Sequence, residues 1–115
     1  MDDAMRSGVI RFADYAAKVP TAAGERSVLA LKRGTLDVRL SVPVPPNRQT
    51  PHEQDELYAV ISGEGVLIHG GERTPFGAGD LLFVAAGVDH HYTDFSDDLS
   101  LWRIFYGETG GEIPM

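Results

Sequence analysis

Residues 35–42 alternate cleanly. Leu36, Val38, Leu40 and Val42 fall on one face, and Thr35, Asp37, Arg39 and Ser41 on the other. That is the period-two pattern of a strand with one buried side. Pro43, Pro45 and Pro46 end it, because proline has no amide hydrogen to give to a sheet, and residues 43–51 read as a loop. Apolar runs at 28–32, 56–62, 66–69, 72–76, 80–84, 89–94 and 99–106 read as further strands. Gly63 and Gly65 mark one turn, Gly77 with Gly79 and Ala86 with Gly87 mark others, and Gly70-Gly71 is a two-residue hairpin signal. About eight short strands in succession predict an all-β sandwich or barrel. One helical spacing, Phe12, Tyr15, Ala16 and Val19 closed by Pro20, predicts a short N-terminal helix. Residues 107–115 read as a mobile tail, leaving a core of about 26–106 within a single domain spanning 1–115.

Composition narrows the function. A chain of 115 residues that is 43% hydrophobic supports one real core and not two. Its net charge of −7 would repel phosphate backbones and anionic bilayers, which argues against nucleic acid and membrane partners. No apolar stretch approaches the roughly 20 residues of a membrane helix. Met1-Asp2-Asp3-Ala4-Met5-Arg6 is acidic and lacks an apolar sequel, so no signal peptide is read and a cytoplasmic location is expected. Cysteine is absent, which removes disulfides and thiol chemistry.

The candidate chemistry lies in the histidines and one carboxylate. His52 and Glu56 stand at the start of the strand at 56–62, and His90 at the start of another, beside loops where a rigid scaffold presents functional groups. Two imidazoles and a carboxylate form a set suited to Fe, Mn, Zn or Ni with positions left open. Alternation sends Tyr58 and Val60 inward with Glu56, and Tyr92 inward with His90, while His91 points out. His69, beside the Gly70-Gly71 turn, reads as structural. Asp97-Asp98 reads as a solvated turn, and Arg103 breaks the apolar run 99–106, so it needs an acidic partner or an exit to solvent.

Two spaced motifs carry a resemblance. Glu56 is followed by six residues and Gly63, and His52 lies three residues before the spacing closes on Glu56. Gly79 is followed by five residues and Ala85, then by Gly87, His90 and Asp94. The pattern resembles the small single-domain cupins, whose motifs run Gly-x5-His-x-His-x(3 or 4)-Glu-x6-Gly and Gly-x5-Pro-x-Gly-x2-His-x3-Asn. The resemblance implies a single jelly-roll β-barrel with one divalent metal held by His52, Glu56 and His90. The chain departs from the pattern at Thr50, where the first histidine would stand; with the longer spacing the pair would fall on Gln49 and Pro51. A fourth contact would have to come from Thr50, Gln49 or Gln54. With Tyr58, Tyr92 and Arg48, these are the candidate substrate-lining residues.

The function that follows is a metal-dependent enzyme on a small organic substrate, of dioxygenase, isomerase or decarboxylase type. The alternatives are a non-catalytic small-ligand module and a metal-free barrel acting on sugar nucleotides. A homodimer is expected because both faces of 99–106 are apolar: Leu99, Leu101 and Phe105 on one, Trp102, Ile104 and Tyr106 on the other.

Overall fold

The computed structural model describes residues 7–47 and 49–114. Among them are one helix, α1 (Phe12–Ala16), and eight strands: β1 (Ser27–Arg33), β2 (Leu36–Ser41), β3 (Asp55–Ser62), β4 (Glu64–His69), β5 (Glu72–Gly77), β6 (Leu81–Val84), β7 (His90–Thr93) and β8 (Ser100–Tyr106). The strands pair antiparallel in a five-stranded sheet of order β1-β2-β8-β3-β6 and a three-stranded sheet of order β5-β4-β7. The fold is an all-β jelly roll. Its core is Tyr58, Val60, Leu82, Val84, Leu99 and Leu101 against Leu67, Phe76 and Tyr92.

The turn expected at Gly63 and Gly65 is a corner made by Gly63 alone. β3 and β4 do not pair with each other; the chain passes there from one sheet to the other. Gly63 has φ +86°, and a Cβ on it would lie 2.6 Å from Leu99 Cα. Both the backbone angle and the close approach require glycine. Gly65 lies inside β4, opposite Phe76. Gly70 and Gly71, with φ of +56° and +85°, form the tight turn that pairs His69 with Glu72, the mirror-image geometry that suits strand twist. Pro75 sits within β5, which its edge position permits.

Register decides which side chains share a face. Across the five-stranded sheet, Arg39 pairs with Arg103 and Arg103 with Tyr58, while Phe105 pairs with Asp37 and Glu56. These residues therefore share the inner face. The outer face carries Trp102 with Ala59 and Leu81, and Ile104 with Leu57 and Phe83. No residue of β1 or β2 belongs to this inner cluster; Leu40 of β2 is fully buried, but on the outer face beside Trp102. The inner face of β2 lines a cavity instead.

The helix is shorter than the sequence spacing suggested. It ends at Ala16 with Ala17 as its C-cap, leaving Val19 beyond it, and it packs Tyr15 edge-on to Trp102 at 6.4 Å. Residues 107–114, expected as a loose tail, are tied across the start of β3. Gly107 O accepts from Gln54 Nε2 at 2.8 Å, Gly110 N donates to Glu53 O at 2.7 Å, and Glu112 N donates to Asp55 Oδ2 at 2.9 Å.

Candidate metal centre

β3 delivers Glu56 and Tyr58 to the inner face, β7 delivers His90, and the loop before β3 delivers His52. That loop is fastened to the one preceding β7. Gly87 N donates to His52 O at 2.7 Å, and Ala86 N donates to the buried Asp55 Oδ1 at 2.9 Å. The two motifs are therefore clamped together by backbone groups, so the spacing of each fixes the distance between their side chains.

Glu56 is 0% exposed. Its Oε1 lies 3.1 Å from His52 Nε2 and 3.2 Å from His90 Nε2, and it accepts from the Tyr58 hydroxyl at 2.8 Å. One ligand atom from each of His52, Glu56 and His90 lies within 4.8 Å of the others, so the three could hold a metal ion. The donor set fits such an ion on two counts. His90 Nδ1 sits 2.9 Å from the Val88 carbonyl; donating there fixes the tautomer that leaves a lone pair on Nε2. His52 Nε2 is buried and, although close to Oε1, is not aligned for a hydrogen bond and has no other partner among the described residues. In the tautomer with its proton on Nδ1, His90 brings no hydrogen to the cluster; a second proton, on Nε2, would be donated to Glu56 Oε1 at 3.2 Å. The single Tyr58 hydroxyl hydrogen faces Glu56 Oε1, Gln49 Oε1 and His90 Nε2 at 2.8, 3.0 and 2.9 Å and satisfies one of them at a time.

The other carboxylate oxygen has a resident counter-charge. Arg103 Nε donates to Glu56 Oε2 at 3.2 Å, and Arg103 Nη2 donates to Gln49 Oε1 at 3.2 Å. The guanidinium lies 5.9 Å from the Tyr58 ring and 5.4 Å from the Phe105 ring. Compensation of Glu56, expected from a metal, thus comes from Arg103. Alternation around Leu101 and Phe105 was the signal that could have placed Arg103 inside. Gln49 is not a free fourth ligand: its amide oxygen serves Tyr58 and Arg103, and its nitrogen donates to Asn47 Oδ1 at 2.8 Å.

Electrostatics follow from burial and this network. Burial alone would raise the Glu56 pKa, but the hydrogen bond with His90 and the charge of Arg103 override it and hold the carboxyl below its ordinary range. Burial lowers the His52 pKa more than nearby Glu56 raises it, so the ring is held neutral. For His90, burial is outweighed by the hydrogen bonds with Glu56 and the Val88 carbonyl, and its pKa rises. Burial pushes both Tyr58 and Tyr92 far up, so both remain phenols.

The remaining expected residues are placed as follows. Tyr92 is buried against Tyr58, ring centroids 5.4 Å apart, with its hydroxyl lacking an aligned partner among the described residues. Thr50 is exposed and makes none of the hydrogen bonds of the cluster. Gln54 turns its amide to Gly107, away from the ligand atoms. Arg48 lies outside the described residues. His91 is exposed, and His69 Nε2 lies 2.9 Å from Thr74 Oγ1 at the surface.

The comparisons with known proteins agree with this geometry. The family model for the cupin domain matches residues 41–101, and the chain belongs to the cupin family. An uncharacterized Streptomyces coelicolor protein, SCO3923, is 40% identical over 57 residues, which are 50% of this chain and 54% of that protein. The chain thus matches about half the length of that relative. A Rhizobium leguminosarum protein of unknown function superposes with TM-score 0.71 at 15% identity, over 90% of this chain and 98% of that one. A cupin 2 conserved barrel domain protein from Salinispora arenicola gives 0.65 at 20% identity, over 88% and 90%. KdgF from Halomonas sp. gives 0.61 at 16%, over 69% and 74%. At these identities the likeness is one of fold.

Removing Arg103 should expose how much Glu56 depends on it. In chelator-treated protein, Arg103→Gln leaves a buried carboxylate unpaired, and a loss of roughly 3 kcal/mol is expected at pH 7. Because the folded-state pKa of Glu56 is depressed, the stabilisation it reports is present above the unfolded value of 4.5 and disappears as pH falls through the folded value. The deficit of the variant should therefore shrink in acid. Urea titrations at neutral and acidic pH measure this; equal stability of variant and wild type at pH 7 would contradict it.

Proposed function

We propose that the protein holds one divalent transition metal through His52 Nε2, Glu56 Oε1 and His90 Nε2, and that it is an enzyme acting on a small organic molecule. The observation carrying this reading is the convergence of three ligand atoms at one buried point, where the His52 nitrogen lacks a hydrogen bond among the described residues. Iron would supply oxygenase chemistry there, while zinc, manganese or nickel would supply a Lewis acid for isomerisation, decarboxylation or hydrolysis. Arg103 engages Oε2, which leaves Oε1 as the oxygen facing the histidines. Phe105, edge-on to His52 at 4.7 Å, forms an apolar wall beside the ligand ring. Tyr58 and Tyr92 supply neutral hydroxyl groups. A cavity of about 500 Å³, lined among others by His52, Arg103 and Phe105, is the route by which a substrate reaches the centre.

A second reading is favoured by one observation. Arg103 neutralises Glu56 without a metal, so the barrel can stand as a non-catalytic module that captures a small ligand. Elemental analysis separates the two. Wild-type protein should carry close to one transition metal per chain, and His52→Ala and His90→Ala should each lose most of it. Occupancy should fall as pH drops, beginning above 6.5, because the raised pKa of His90 means its ring must shed a proton to ligate. Full metal retention in both variants would sink the assignment.

We also infer a homodimer. Leu81 and Phe83 on edge strand β6 are 65% and 53% exposed and continue the outer apolar face of Leu57, Ala59 and Ile104. A second copy would cover that stripe. Light scattering should give twice the chain mass at micromolar concentration, and Phe83→Glu should give a monomer; a monomeric wild type contradicts it.

A further inference from the structure

The five-stranded sheet extends beyond the core, and its uncovered inner face is polar. The cavity over it, about 500 Å³, is lined by Ser27, Asp37 and Arg39 on one side and by His52, Arg103 and Phe105 on the other, with Glu53 and Gln54 at the rim. Arg39 and Arg103 are direct register partners on this face. Two cations placed opposite each other repel unless something anionic lies near them.

Each arginine is held by the same edge. Arg39 donates from Nε and Nη2 to the two oxygens of Asp37, at 2.8 and 3.1 Å. Arg103 donates from Nε to Glu56 and from Nη2 to Gln49. Each guanidinium has five N–H groups, so each keeps its Nη1 group and one Nη2 hydrogen free of the described residues. Those two ends form planar forks of the kind that grip a carboxylate with paired hydrogen bonds. In-chain carboxylates pre-orient both forks, which lowers the ordering cost of binding.

Charge points the same way. Lys32 joins Asp37 at 3.9 Å, so Lys32, Arg39 and Arg103 face Asp37, Glu56 and Glu53, a balance of zero in a protein of net charge −7. A divalent ion at the proposed centre would make this wall positive.

We propose that the cavity between β1, β2 and β8 binds a small organic carboxylate, gripped by the free ends of Arg39 and Arg103 beside His52. This deepens the metal-enzyme reading and rests on it for the tighter binding of the metal-loaded form, while the grip of the two arginines stands without the ion. Arg39 is the residue that selects charged over neutral substrates.

The probe is malonate, with malonamide as its neutral counterpart, titrated calorimetrically into zinc-loaded and chelator-treated protein at low salt. Malonate should saturate the zinc-loaded protein and bind at least about tenfold more tightly than malonamide. Arg39→Gln should weaken malonate by about tenfold or more without changing metal content. Asp37→Asn, which releases the other edge of Arg39, should tighten it severalfold; a purely structural role for the pair would not give a gain. The proposal is overturned by equal binding of malonate and malonamide, by affinities unchanged in both variants, or by no saturable malonate binding to either form. Metal content, measured on the same samples, reports separately on the centre: a protein free of metal that still discriminates malonate through Arg39 refutes the metal reading and leaves the carboxylate site standing.

Discussion

A carboxylate with no solvent contact organises this molecule. Glu56 is 0% exposed, and an isolated ion at such a place would be expelled or neutralised. It is retained because two different environments meet at its two oxygens. Oε2 takes the Arg103 guanidinium, and Oε1 takes the Tyr58 hydroxyl and the facing edges of two imidazoles. The barrel can therefore fold around the charge without a metal, while one oxygen still faces the two imidazoles. Gln49 ties the two environments together, since its amide oxygen accepts from Arg103 on one side and faces the Tyr58 hydroxyl on the other.

The same constraint reaches outward through the backbone. His52 is not on a strand, so its ring would wander if its loop did. The loop is pinned by Gly87 to the segment before His90, and Asp55, next to Glu56, fastens Ala86 and the chain at Glu112. The residues flanking His52, Glu56 and His90 are thus as specific in their contacts as those three. On the other side of Arg103 the inner face opens into the cavity shared with Arg39, so the cation that steadies Glu56 also borders the space where a substrate would lie.

Much of this was legible from local pattern. The alternation at Leu36, Val38 and Leu40 marks β2, the Gly70-Gly71 pair marks the hairpin of β4 and β5, and motif spacing singles out His52, Glu56 and His90. What escaped was non-local. The role of Arg103 depends on β8 lying between β2 and β3, an order that no local periodicity carries. Gly63 and Gly65 look alike in sequence, yet one is a corner against Leu99 and the other a strand residue facing Phe76 on the paired strand. Gln54 looked like a fourth ligand and instead gives its amide to the carbonyl of Gly107, at the rim of the cavity. Arg103, Leu99 and Gly107 each lie more than 30 residues from the residue whose role they decide, beyond the reach of patterns read within one segment.

The central claim is that Oε1 of Glu56 is the metal-facing oxygen while Oε2 stays on Arg103. A crystal structure of metal-loaded protein, with anomalous data collected at the edge of the bound metal, tests it most directly. The account predicts one anomalous peak about 2.0–2.2 Å from His52 Nε2, His90 Nε2 and Glu56 Oε1, with Arg103 still on Oε2 and Thr50 out of contact. A peak centred on any other set of residues, or Glu56 bound through both oxygens with Arg103 displaced, would contradict it.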